Sequence, residues 1–127
     1  MIKAVIFDMY ETLITHFKTP LYFGSDMARD AGIPEEIFLP AWRETEDDRT
    51  CGRKSTDEVI ASLLKSNNCY NDDLFDMMMS KRIKTKIDCF NHLHSDIIPM
   101  MDGLKKRGIM VGLISNCFTE EATVIKD

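Results

Sequence analysis

Two apolar runs, each ending abruptly in polar residues, hold the side chains of this sequence best placed to do chemistry. The first, Ile2-Lys-Ala-Val-Ile-Phe7, stops at Asp8 and continues Met9-Tyr10-Glu11-Thr12-Leu13. The second, Ile109-Met-Val-Gly-Leu-Ile114, stops at Ser115-Asn116. A near-continuous apolar run is the pattern of a buried parallel strand. Ligands of open α/β sheets bind just beyond the carboxyl ends of such strands. Asp8 therefore stands where a nucleophile would stand, and Ser115 and Asn116 at the end of a neighbouring strand. The plainer readings are a turn-forming aspartate and a helix-capping serine; the two strand ends in combination favour a site.

The elements that must position these residues are legible in the pattern. The segment Asp96–Arg107 carries Ile97, Met100, Met101 and Leu104 at helical spacing. Pro99 suits a first turn and Gly108 a C-terminal cap. With the strand that follows, this makes an αβ unit. Residues 15–95 read as a wholly helical insert. One helix is expected over Leu21–Ala31, closed by Gly32. A second opens at Pro34 and runs through Trp42 toward Cys51. A third is capped within Ser55-Thr56-Asp57-Glu58, and a fourth starts at Asn71 or Asp72 and runs to Leu93. Four antiparallel helices make a small bundle, set as a cap over the carboxyl edge of the sheet. The expected architecture is α/β: core residues 1–14, helical cap 15–95, core residues 96–127, with a further helix beginning near Thr119.

The chain has 127 residues, 44% hydrophobic and 29% charged, as in ordinary globular proteins, with a net charge of −5. An acidic chain with scattered cations argues against nucleic acid or an anionic membrane as partner. The densest basic stretch, Lys81-Arg82-Ile83-Lys84-Thr85-Lys86, reads as a solvated helix face. Cys51, Cys69, Cys89 and Cys117 form no Cys-x-x-Cys pair. No signal segment precedes the first strand, so reduced thiols in a cytoplasmic protein are expected. No stretch approaches the roughly 20 apolar residues of a membrane span. Cys117 reads as an unreactive thiol, His92 and His94 as helical residues on different faces rather than metal ligands, and Met77-Met78-Met79 as gap-filling core or a cap-to-core contact.

Phe7-Asp8-Met9-Tyr10-Glu11-Thr12-Leu13 resembles the first motif of the haloacid dehalogenase (HAD) superfamily of hydrolases, and Leu113-Ile114-Ser115-Asn116 resembles its second. The helical insert is similar to the cap of one large branch of that superfamily. The resemblance implies a Rossmann-like core and hydrolysis through an aspartyl-enzyme intermediate on a small phosphorylated or related organic acid. Asp8 matches the nucleophile, whose carboxylate attack gives an ester or acyl phosphate that water then hydrolyses. Thr12 matches the threonine that orients it, and Ser115 the hydroxyl that holds a substrate oxygen. Tyr10 and Asn116 would line the same pocket. Magnesium is the metal the resemblance allows, on Asp8 and the backbone carbonyl of Tyr10, although one carboxylate makes a poor site for a hard cation. The expected partner is a small anionic substrate.

The sequence also departs from the pattern. Superfamily phosphatases carry a second aspartate two residues after the nucleophile, as general acid and base. Here Tyr10 occupies that position, and a tyrosine with a pKa of about 10 is a poor base at neutral pH. In extended geometry Glu11 faces the other way; it also stands where the family has glycine. A tyrosine at this position resembles the metal-free 2-haloacid dehalogenases, the alternative reading. Their cap arginine, two residues before a tryptophan, would fall at Pro40 if Trp42 is the matching tryptophan; Arg43 and Arg49 do not match. The family's late lysine and acidic motif have no counterpart within the 127 residues. The expectation is an incomplete core, inactive alone, with Met1–Phe7 an apolar sheet edge open to an oligomer mate or a partner chain. A non-catalytic subunit that binds through this edge is the third reading.

Overall fold

The computed structural model describes residues 1–126. It is a mixed α/β chain, mostly helical, with a two-stranded parallel sheet. Strand β1 (Ala4–Phe7) lies beside β2 (Met110–Leu113) in the register Ala4↔Met110 to Phe7↔Leu113. Between them come α1 (Gly24–Ala31), α2 (Glu35–Glu44), α3 (Glu46–Thr50), α4 (Thr56–Ser66), α5 (Asp72–Phe90) and α6 (Ile97–Lys106); α7 (Thr119–Lys126) follows β2.

Local chemistry sets the boundaries. Ser55 and Glu58 form a reciprocal capping box at the start of α4, and the Asn71 side chain accepts from the Leu74 amide at the start of α5. Gly108 closes α6 with a φ of 70°, where a side chain would be strained; its amide donates to the Lys105 carbonyl and that of Ile109 to Leu104. This reversal delivers the chain into β2. The expected single helix from Pro34 toward Cys51 divides at Thr45, whose hydroxyl donates to the Trp42 carbonyl and turns the chain into α3. The last long helix ends at Phe90, not Leu93, so His92 and His94 lie on the connection to α6 rather than on a helix.

Most of the apolar core lies in the insert. Met27, Phe38, Trp42, Ile60, Leu64 and Met78 form one buried cluster drawn from α1, α2, α4 and α5. A second, smaller cluster joins Met9, Ile14 and Cys89, with Tyr10, Leu13 and Ile125 packed on it, and ties the loop after β1 to α5 and α7. The strands themselves are not buried as their composition predicts: Ile6 is 61% exposed and Met110 68%. A two-stranded ribbon has too few neighbours to cover both faces. No helix of the described residues is long and apolar enough to cross a membrane.

Candidate functional site

Asp8 and Ser115 follow the carboxyl ends of the paired strands. The ladder reaches Phe7↔Leu113 and is extended by the Ile114 amide donating to the Phe7 carbonyl at 2.9 Å. Asp8 is exposed, and its Oδ1 accepts from the Met9 amide at 2.8 Å. Ser115 is half-buried, with its Oγ shielded from solvent and without a hydrogen-bond partner among the described residues. Asn116 and Thr12 are exposed.

The chain does not remain extended after Asp8. The Met9 carbonyl accepts from the amides of Thr12, Leu13 and Ile14, which curls the segment into a turn. Glu11 takes a left-handed conformation with φ 54°, which costs a residue with a side chain roughly 1 kcal/mol or more. Its carboxylate offsets this by accepting from the Thr15 hydroxyl at 2.7 Å and the His16 amide at 3.0 Å. Those two bonds hold the Glu11 carboxyl below the usual range. Glu11 is thus committed to the turn. The extended-chain argument that directs it away from Asp8 fails, because a turn rather than a strand carries it.

The same turn stacks His16 on Tyr10, ring centroids 4.7 Å apart. His16 Nδ1 lies 3.3 Å from Glu11 Oε1 and Nε2 3.0 Å from Lys86 Nζ. An ammonium can only donate, so Nε2 accepts and the ring proton sits on Nδ1. Burial, then Lys86, push the His16 pKa down, against the opposing pull of Glu11; the imidazole is neutral at pH 7. Tyr10 Oη is buried with no partner among the described residues. Burial, then Glu121, push its pKa well above that of an ordinary phenol. The Tyr10 side chain is therefore a protonated donor at neutral pH.

The helix face over this turn corrects a sequence expectation. Of the stretch 81–86, Arg82 and Lys86 are buried rather than solvated, at 3% and 4% exposure. Arg82 Nε bonds Glu120 Oε1 at 2.8 Å, and Lys86 pairs with Glu121. The two glutamates at the start of α7 thus bind α5. The signal available in sequence was the spacing of Arg82 and Lys86, four residues apart on one helical face.

Arg49 is the third buried cation, 2% exposed. Its guanidinium lies 3.7 Å from the Trp42 ring centroid and 4.4 Å from that of Phe118. Nε donates to Thr45 Oγ1 and Nη2 to the Trp42 carbonyl. Arg49, Arg82 and Lys86 line a cleft of about 370 Å³, together with Phe23, Trp42 and Phe118.

Magnesium is a poor fit. Asp8 and the Tyr10 carbonyl supply two protein oxygens, against the roughly six ligands such an ion takes. Among the described residues no group of three or more histidine, cysteine, aspartate or glutamate side chains could hold a cation. At Cys117, burial, then Glu121, push the thiol pKa up against the pull of Lys126. No family model, no curated protein and no solved structure matches this chain.

Proposed function

We propose that this chain is a HAD-like hydrolase, or the nucleophile-bearing part of one, acting through Asp8 on a small phosphorylated or related organic acid. The observation that carries the reading is the pairing of the two strand ends, which sets Asp8 beside the segment bearing Ser115. With Oδ1 engaged by the Met9 amide, Oδ2 is the attacking oxygen. It forms a bond to phosphorus or carbon as the leaving group departs with the bonding pair. Water then cleaves the ester or acyl phosphate and regenerates the carboxylate. The Ser115 hydroxyl, unpartnered among the described residues, is the group this reading assigns to a substrate oxygen. No step is routed through a metal.

A dehalogenase-like reaction is favoured by one observation: Tyr10 is a protonated phenol where an ester hydrolase needs a general acid–base. The reading of a non-catalytic subunit rests on the exposed apolar sheet, with Ile6, Met110 and Ile114 open. One experiment separates the three. The full chain, alone and with any partner co-purified from its own cells, is assayed for phosphate release from p-nitrophenyl phosphate and chloride release from 2-chloropropionate, with and without magnesium. Either release, abolished by Asp8→Asn, is the expected result. Turnover that survives Asp8→Asn refutes the nucleophile, and a stable hetero-complex without turnover favours the binding subunit.

A further inference from the structure

Three buried cations line the cleft, and two are neutralised. Arg82 has Glu120 and Lys86 has Glu121. Arg49 bonds only neutral oxygens, Thr45 Oγ1 and the Trp42 carbonyl, and its Nη1 has no partner among the described residues. An uncompensated buried charge is costly, and where a chain keeps one at the wall of a cleft, a ligand of opposite sign is the natural complement. Burial, then Arg82, lower the Arg49 pKa against the opposing pull of Glu120, Glu46 and Glu121, none of which bonds it, and a guanidinium remains charged at any physiological pH.

The geometry narrows the ligand. Trp42 and Phe118 both pack on the guanidinium, and Nη1 on its planar edge is the atom left for a ligand to address. A flat oxyanion matches that edge with paired N–H···O bonds. The remaining charges on the cleft wall are Arg43 and Glu46, which oppose each other, so the surplus is a single positive charge. A volume of about 370 Å³ suits a small molecule.

We propose that Arg49 is a substrate-binding residue that receives the carboxylate of a small organic acid in this cleft. The identification of that acid as a substrate rests on the hydrolase reading; the binding itself does not. The rival explanation is structural. Glu120 Oε2 is also buried without a partner, and Arg49 would then serve only to hold α7.

Trp42 is the sole tryptophan and stacks on Arg49, so its fluorescence reports the site directly. The full chain, carrying Asp8→Asn to stop turnover, is titrated with 2-chloropropionate, with the uncharged 2-chloropropionamide and with inorganic phosphate. The expected result is a saturable change with the carboxylate and none with the amide. Affinity falls at least tenfold in Arg49→Lys, which keeps the charge but loses the planar fork, while the thermal midpoint is nearly unchanged. Equal response to acid and amide overturns the proposal, as does carboxylate binding that survives Arg49→Lys in a folded protein. Binding of phosphate alone also overturns it. A drop in the thermal midpoint of Arg49→Lys, with no carboxylate binding by the parent, establishes the structural role instead. Arg49-dependent binding without any turnover in the Asp8 parent would leave this site standing and the hydrolase reading fallen.

Discussion

Replacing Arg82 with methionine removes a charge but keeps most of the buried volume, and strands Glu120. The pair is 2.8 Å long with side chains 3% and 6% exposed, and Glu120 Oε2 already lacks a partner among the described residues. The stranded carboxylate can escape by taking up a proton or by carrying α7 into water. Protonation sets the scale: at about pH 7, neutralising a group with an ordinary pKa of about 4.3 costs about 3.7 kcal/mol. This falls within the range of roughly 3–5 kcal/mol for breaking one side of a buried pair. At about pH 5 the same proton costs only about 1 kcal/mol. Where the stranded carboxylate takes up a proton on folding, the variant regains stability as pH falls. Urea denaturation should therefore show Arg82→Met weaker than the parent by about 3–4 kcal/mol near pH 7, with most of the deficit gone by about pH 5. The double variant Arg82→Met/Glu120→Leu should return to within about 1 kcal/mol of the parent, because an apolar pair can replace a buried ionic one. A deficit under about 1 kcal/mol that ignores pH would refute the reasoning. Escape by detachment of α7 would show as faster hydrogen exchange confined to residues 119–126.

Two further outcomes follow from the same turn-and-cap chemistry. His16 has a pKa lowered by burial and Lys86, so its contribution is complete above the unfolded value of about 6.5 and is lost as pH falls through the window below it; the stability of His16→Asn, followed by urea denaturation, should decline less than that of the parent between about pH 7 and pH 5.5. Gly108→Ala places a side chain at φ 70° and should cost about 1 kcal/mol, read as a lower thermal midpoint, while Gly103→Ala, in open space within α6, should raise it.

The helical insert was legible because its signals are local. The capping box at Ser55, the Asn71 cap and the left-handed glycines at 32 and 108 are decided by neighbours in sequence. The strand ends carrying Asp8 and Ser115 were legible for the same reason. What escaped was set by distance. Arg82 and Lys86 look solvated until α7, over thirty residues later, supplies their carboxylates. Arg49 became informative only once Trp42 and Phe118 packed on its guanidinium. The coil after Asp8 escaped because a turn built on the Met9 carbonyl competes with strand continuation, and no Asn-Gly or Pro-Gly pair marks it.

Tyr10 bears on the chemistry more than its place in the motif suggests. A phosphate monoester of a simple alcohol leaves as an alkoxide and needs a proton, which a general acid supplies and later recovers from the attacking water. Tyr10 can donate a hydrogen bond, but burial and Glu121 set its proton too firmly for that exchange at neutral pH. His16, stacked on it, is neutral, with Nε2 engaged by Lys86. On the hydrolase reading, the substrate that suits these residues is one whose leaving group departs as a stable anion, such as a halide or an acidic phenol. An alcohol leaving group would require the acid–base group to come from a segment or partner other than the turn after Asp8. The same turn is thus the point at which dehalogenase-like and phosphatase-like chemistry diverge.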